Sequence, residues 1–169
     1  DQVTGVNTTP ISDTKIDIDW TIPANNSYAI TGYNLFRSTD QVNWTTVSTT
    51  INTNSYSDTG LTADTVYYYK ISATNVLGTG AESSVVSQRT FGLPDPVTTL
   101  VLTSQGTGQI NTSWTQPNLN GFPLVSYTVE RSTNGTSGWT TILSGSTNTT
   151  FNDTTGLVQN TVYYYRVTT

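Results

Sequence analysis

A five-residue segment, Thr-Val-Tyr-Tyr-Tyr, occurs twice in the chain and constrains its fold more than any other feature. The first copy occupies residues 65–69, and the second occupies residues 161–165, ninety-six positions later. A leucine precedes the first tyrosine of each copy by six residues, at Leu61 and Leu157. Repetition at this period indicates two similar domains in tandem.

Both copies have the pattern of a strand with one buried face. With a period of two, Tyr67 and Tyr69 share one face, and Tyr68 lies on the other. A leucine followed by a tyrosine at this spacing predicts a tyrosine corner, in which the hydroxyl of Tyr67 bonds back to the preceding crossover. The outward Tyr68 and its counterpart Tyr164 have an alternative role as a stacking platform for a sugar or a base.

The composition removes several classes of function. The chain contains no cysteine and no histidine, so disulfides, thiolate metal sites and catalysis by either side chain are excluded. Its formal net charge is −5, and it has no basic run, which makes nucleic acid and anionic membranes poor partners. No apolar run is long enough for membrane insertion. We expect no cofactor and no catalytic residues.

Strands that precede the tyrosine segments also match between the two halves. Residues 16–20 and 110–114 alternate in polarity and end on an inward tryptophan, and the next predicted strand of each half has an inward tyrosine. The predicted core therefore consists of Trp20, Tyr33, Leu61 and Tyr67 in the first half, and Trp114, Tyr127, Leu157 and Tyr163 in the second.

The two halves meet in a proline-containing segment, residues 91–96. We place one domain in residues 1–92 and the other in residues 93–169. The first half continues past its tyrosine strand into a hairpin and a seventh strand, whereas the second reaches Thr169 without them. We expect the natural chain to continue with that strand; the alternative is a strand donated by a neighbouring subunit, as in surface filaments.

Four aspartates are candidates for a functional or a structural role. Asp17 and Asp19 share the outward face of their strand and could form half of a calcium site, but their repeat partners are Asn111 and Ser113, and acids on a solvated strand are the ordinary explanation. Asp58 and Asp153 stand before the tyrosine crossovers, where we expect them to bond to turn backbone.

Cationic and aromatic residues near the ends of the predicted strands give two further expectations. We predict that Arg37 stacks on Trp44 and that Arg131 stacks on Trp139. Phe36 is predicted to be exposed beside Tyr68, which would give the first half a small aromatic patch for partner binding.

Two Asn-x-Ser/Thr triplets lie beside predicted turns. They begin at Asn43 and Asn134. Glycosylation is allowed at both if the protein is secreted.

Taken together, seven short strands per half, the inward Trp and Tyr, and the Leu-x-x-x-Thr-x-Tyr motif resemble the fibronectin type III domain. The resemblance covers residues 1–92 and the first six strands of residues 93–169. It implies an all-β fold of two tandem seven-strand Greek-key immunoglobulin-like sandwiches, the second lacking its last strand. It also implies binding through the loop that contains Leu77, Thr79 and Glu82, although that loop has no Arg-Gly-Asp.

The family and the composition suggest a non-enzymatic spacer or adhesion segment of an extracellular or cell-surface protein, of microbial origin. Its partners would be other domains of the same protein or neighbouring protein chains. An accessory module of a secreted polysaccharide-degrading enzyme is the alternative, with Phe36, Tyr68 or Tyr164 in contact with the polysaccharide. A filament subunit completed by a neighbour's strand is a third possibility.

The connection between the halves predicts a semi-rigid rod. A seven-strand domain is entered at one pole and left at the other, and the six residues 91–96 span at most ~20 Å. Domains with radii of gyration of ~13 Å have little freedom on such a linker. Small-angle scattering should therefore give an elongated particle with restricted bending, and a profile of freely hinged domains would contradict the prediction.

Overall fold

A computed structural model describes all 169 residues, and its regular structure is entirely β. The chain divides into two compact units, unit 1 (Asp1–Gly92) and unit 2 (Leu93–Thr169). All strand pairs are antiparallel. The structure has no helix that is long and apolar enough to cross a membrane. The predicted all-β tandem of sandwiches is confirmed.

Unit 1 contains two sheets. Its strands are β1 (Thr4–Pro10), β2 (Lys15–Thr21), β3 (Ile30–Ser38), β4 (Thr45–Ile51), β5 (Ser55–Thr59), β6 (Val66–Asn75), β7 (Gly78–Thr79) and β8 (Val86–Arg89). One sheet has the order β1-β2-β5. The other has the order β4-β3-β6, and both β7 and β8 pair with the free side of β6. The tyrosine strand β6 is therefore bonded on both edges.

Unit 2 repeats this arrangement up to its tyrosine strand. Its strands are β9 (Val101–Ser104), β10 (Ile110–Ser113), β11 (Tyr127–Ser132), β12 (Thr140–Ser146), β13 (Thr150–Asp153) and β14 (Tyr164–Thr168). The sheets have the orders β9-β10-β13 and β12-β11-β14. Strand β14 pairs with β11.

Each unit has one apolar core formed by both of its sheets. Trp20 and Tyr33 are buried edge to face, with ring centroids 5.1 Å apart, and Trp114 and Tyr127 repeat the contact at 5.3 Å. Such aromatic pairs are favoured over face-to-face stacking because a ring edge is positive and a ring face is negative.

Two of the predicted core residues are not fully buried. Leu61 and Tyr67 lie in the core of unit 1, whereas their counterparts Leu157 and Tyr163 are only partly buried and lie outside the buried cluster of unit 2. The assignment of these two residues to the core was therefore too strong.

Tyrosine corners are present in both units, as predicted. The Thr62 N–H donates to the Tyr67 hydroxyl at 2.9 Å, and the Val158 N–H donates to the Tyr163 hydroxyl at 2.9 Å. Each bond satisfies a backbone donor in a crossover that makes few ladder bonds.

The matched substitutions Tyr67→Phe and Tyr163→Phe test these corners. Removal of one partly buried hydroxyl should lower the free energy of unfolding by about 1 kcal/mol in unit 1. The loss should be smaller for Tyr163, since water can reach the Val158 N–H in its place. Urea denaturation followed by tryptophan fluorescence measures both values, and equal losses would show that burial does not set the strength of the bond.

Candidate functional site

The tip of the β6–β7 hairpin in unit 1 exposes two consecutive apolar residues. Val76 and Leu77 are 75% and 71% exposed. The turn is held by Asn75, whose side-chain oxygen accepts the Leu77 N–H at 2.9 Å, and by pairing between Asn75 and Gly78. Two apolar side chains are thereby held out in solvent on a structured turn rather than on a loose loop.

The other residues predicted to bind partners in this loop have internal contacts. The Lys70 ammonium forms an ion pair with the Glu82 carboxylate at 2.8 Å, and Gln2 Nε2 donates a hydrogen bond to the Glu82 backbone carbonyl at 2.6 Å. The Thr79 hydroxyl lies 3.3 Å from that of Thr74. A small open cleft separates the hairpin from residues 23–26 and is lined partly by asparagine and threonine. All three predicted residues are exposed, but the polar side-chain atoms of Thr79 and Glu82 are bonded within unit 1.

Outer-face tryptophans stack on cations in both units, although not on the predicted ones. Lys70 Nζ lies 4.4 Å from the ring centroid of Trp44, and the guanidinium of Arg166 lies 4.4 Å from that of Trp139. Arg166 also donates to Glu130 at 2.6 Å. These cations are on the strand face that points away from the core, as Trp44 and Trp139 are. One face of each tryptophan ring is covered, which leaves less aromatic surface for a ligand.

The predicted stacking of Arg37 on Trp44 and of Arg131 on Trp139 is wrong. The guanidinium of Arg37 lies 5.4 Å from the ring centroid of Tyr67, and that of Arg131 lies 5.0 Å from the ring of Tyr163. Both arginines share the inward parity of the core row, so they reach the tyrosine corner rather than the outer face.

The predicted aromatic patch of Phe36 and Tyr68 does not form as an exposed pair. Phe36 pairs in register with Lys70, whose ammonium lies 5.6 Å from the Phe36 ring centroid, while Tyr68 pairs with Ser38. Both rings are partly buried. In unit 2, Tyr164 is 45% exposed and its ring lies against Gly135, where any Cβ would come within 2.8 Å of the ring.

Both predicted glycosylation sites are in turns that their own side chains hold. Asn43 Nδ2 donates to Asp40 at 2.7 Å, and Asn134 Nδ2 donates to Ser137 at 2.9 Å. Asp40 accepts two further backbone N–H bonds, and Asn134 does the same at the equivalent position. The bonds from the backbone and side chain of Asn43 lower the pKa of Asp40. Each turn positions the outer tryptophan that follows it.

A buried carboxylate connects the two sheets of each unit. Asp58 on β5 accepts Arg37 Nη1 from β3 at 2.8 Å and the Tyr69 hydroxyl from β6 at 2.9 Å. Asp58 is 4% exposed. The expectation that Asp58 bonds to turn backbone was wrong, because its side chain points between the sheets.

Unit 2 repeats the same three-residue cluster. Asp153 on β13 accepts Arg131 Nη1 at 2.6 Å and the Tyr165 hydroxyl at 2.8 Å. The expectation of a backbone bond is met here only by one long contact, from the Thr155 N–H at 3.3 Å. Burial, together with the neighbouring carboxylate, raises the pKa of both Tyr69 and Tyr165. The sequence contained a signal for this cluster, because Asp, Arg and Tyr recur at matching positions in both halves. The sequence analysis did not connect these three residues.

The outward acids of β2 bond to their own neighbours. Asp17 accepts the Ser57 hydroxyl at 2.6 Å and lies 3.2 Å from Lys15, and the Ser57 bond lowers the pKa of Asp17. Asp19 accepts Asn7 Nδ2 at 3.0 Å. No group of three or more acidic side chains that could hold a metal ion is present, and the calcium reading of Asp17 and Asp19 gains no support.

These features define the chain as a tandem of immunoglobulin-like sandwiches with tyrosine corners and a polar cross-link between the sheets. The sequence profile of the fibronectin type III domain matches residues 1–89. The chain belongs to the fibronectin type III family.

The chain is similar to several known proteins, among them the two described next. Exoglucanase B of Cellulomonas fimi is 29% identical over 172 residues, which cover 97% of this chain and 14% of that protein. The sixth fibronectin type III domain of human fibronectin type III domain containing protein 3 superposes with a TM-score of 0.51 at 28% identity, over 58% of this chain and 92% of that domain. The resemblance to the family is confirmed, and the first relative supports a microbial, multidomain setting.

Stability at alkaline pH tests the buried Tyr69 hydroxyl. Its pKa is raised in the folded state, so above pH ~10 the unfolded chain releases this proton while the folded chain keeps it. This contribution to the free energy of unfolding is complete below pH ~10 and is lost as the pH rises further.

The substitution Tyr69→Phe should therefore weaken the alkaline fall in stability, measured by urea denaturation at about pH 9 and about pH 11. Tyr28→Phe is the control, because Tyr28 is 45% exposed. An unchanged alkaline slope in Tyr69→Phe would contradict the assignment.

Proposed function

We propose that this chain is a non-catalytic accessory segment of an extracellular polysaccharide-degrading enzyme, in which the two units space functional domains apart. The observation that carries the proposal is the similarity to Exoglucanase B, which runs across both units but covers only 14% of that protein. A match of this extent fits a tandem module within a longer enzyme rather than its catalytic part.

The side chains support a spacing role over a sugar-binding one. Trp44 and Trp139 each have a cation over one ring face, and Phe36 lies under Lys70. Sugars stack on flat, accessible aromatic faces, and the exposed tyrosines Tyr28 and Tyr164, one in each unit and each 45% exposed, offer one such face each at most. The aromatic area of this chain is used mainly for internal packing.

Within this role, we place protein contacts at the tip of the β6–β7 hairpin. Val76 and Leu77 are exposed on a turn fixed by Asn75. Apolar side chains that are held in place before binding lose little conformational freedom when a neighbouring domain covers them. The partner would be another domain of the same protein or a neighbouring protein chain.

Insertion between the catalytic and cellulose-binding domains of a cellulase tests the spacing role. A Gly/Ser linker of the same 169 residues is the comparison, because it behaves as a flexible coil whereas folded units keep the domains apart. We expect equal kcat on a soluble substrate and faster hydrolysis of insoluble cellulose with the folded chain. Equal rates on insoluble cellulose would contradict spacing.

The isolated chain separates the competing functions. It should remain in the supernatant over microcrystalline cellulose and release no reducing sugar, and Tyr164→Ala should behave identically. Retention that Tyr164→Ala abolishes would instead establish a carbohydrate-binding module, and sugar release would establish catalysis.

A further inference from the structure

Two asparagines of unit 2 are followed by glycine, in the pairs Asn120–Gly121 and Asn134–Gly135. In such a pair, the backbone nitrogen of the glycine can attack the side-chain amide carbon of the asparagine, because glycine has no side chain to obstruct the approach. Asparagine is accordingly among the thermolabile residue types. The two pairs have the same covalent structure, so their hydrogen bonds decide which of them reacts in the folded chain.

The pair Asn134–Gly135 is held on both sides of the bond that would form. The Asn134 side-chain oxygen accepts the backbone N–H groups of Thr136 at 2.9 Å and Ser137 at 2.8 Å, and Asn134 Nδ2 donates to Ser137 Oγ at 2.9 Å. The attacking nitrogen is occupied as well, because the Gly135 N–H donates to the Ser132 hydroxyl at 3.2 Å. These contacts must break before the nitrogen can reach the amide carbon.

The pair Asn120–Gly121 is less restrained. The Gly121 N–H donates no hydrogen bond. Of the Asn120 side-chain atoms, only Nδ2 is bonded, to the Leu93 carbonyl at 2.8 Å and to the Asp95 carboxylate at 3.1 Å. The attacking nitrogen and the amide oxygen are therefore free of the contacts that hold the second pair.

The same two bonds of Asn120 attach the first residues of unit 2 to the loop before β11. Nδ2 is the donor in both contacts, and both partners are oxygen acceptors. The Asp95 N–H adds a backbone bond to the Asn118 carbonyl at 2.9 Å. Residues 93–95 are thus held by one side-chain amide and one backbone hydrogen bond.

We propose that Asn120–Gly121 is a site of spontaneous deamidation, and that this modification detaches residues 93–95 from the loop before β11. The Gly121 nitrogen bonds to Asn120 Cγ, and the bond from Cγ to Nδ2 breaks. The proton of the Gly121 N–H leaves with the amide nitrogen as ammonia, and a cyclic imide remains. Water then opens the imide at either of its carbonyls, so the product is aspartate or isoaspartate at position 120.

Both products reverse the contacts of this side chain. The donor is replaced by an acceptor that faces the Leu93 carbonyl and the Asp95 carboxylate, and two carboxylates at this separation repel each other. Isoaspartate also lengthens the backbone of a turn in which Asn120 and Gly121 have positive φ, 50° and 94°. Because residues 93–95 follow directly on unit 1 in the chain, the segment that joins the units gains conformational freedom as the protein ages.

The same conversion at Asn134 would leave its turn intact. Asp40 occupies the equivalent turn of unit 1, where its carboxylate accepts the N–H groups of Val42 at 2.8 Å and Asn43 at 2.7 Å. A carboxylate therefore serves this turn as well as an amide oxygen does. The substitution Asn134→Asp is a matched control that adds the same charge to unit 2 without removing an anchor.

Peptide mapping of the full chain after incubation in mildly alkaline buffer tests the reaction. Trypsin places the two sites in different fragments, residues 90–131 and 132–166, and tandem mass spectrometry locates the amide-to-acid mass increase on one residue. Asn120 should convert at least about tenfold faster than Asn134, since the hydrogen bonds that hold Asn134 must break first. In urea the two rates should become similar, because neither turn is then folded.

Amide hydrogen exchange followed by NMR tests the detachment. The Asp95 N–H should exchange at least about tenfold faster in Asn120→Asp, because its segment has lost the side-chain anchor. In the double variant Asn120→Asp/Asp95→Asn, the amide at position 95 can donate to the new carboxylate, so exchange should slow again. Asn134→Asp should leave the Asp95 N–H unchanged, and continued protection of the buried Val129 N–H shows that unit 2 remains folded.

Three results would overturn the proposal. Equal conversion of Asn120 and Asn134 in the folded chain would show that their hydrogen bonds do not select the site. Conversion of Asn120 in urea but not in the folded chain would show that the loop protects it. Unchanged exchange of the Asp95 N–H in Asn120→Asp, with Val129 still protected, would show that the side-chain amide does not hold the segment.

Discussion

The carboxylate between the two sheets is the interaction on which the rest of each unit depends. Asp58 and Asp153 each accept an arginine and a tyrosine hydroxyl from the opposite sheet. A buried charge is costly unless it is paired and hydrogen-bonded, so the cluster forms only when the two sheets meet in one alignment. In a chain without cysteine, this polar contact ties the sheets where immunoglobulin domains use a disulfide.

The same cluster explains how the tyrosines are divided between the interior and the surface. Tyr69 and Tyr165 reach the carboxylate, and Tyr67 and Tyr163 close the crossover while they stack under the arginines. Few aromatic faces remain free for a ligand. The surface then consists of short polar side chains and the apolar tip of the β6–β7 hairpin.

Sequence reasoning identified the family, the two units and most of the buried aromatic residues, because these follow from a repeat and from alternation along single strands. It failed where partners come from different strands. Arg37 was assigned to Trp44, but inward parity brings it to Tyr67 and Asp58, whereas the outward Lys70 reaches Trp44. Leu157 and Tyr163 are less buried than their own pattern predicts.

The sequence by itself determined the all-β class, the tandem repeat, the inward face of each strand and the tyrosine corner, since each of these is encoded in residue types at short, regular spacings. Only the tertiary structure decided which charges meet across the sheets. Asp58 and Arg37 are twenty-one residues apart, and nothing local selects one partner over another. Contact between them is decided by the packing of one sheet on the other, which brings their side chains to the same point in the interior.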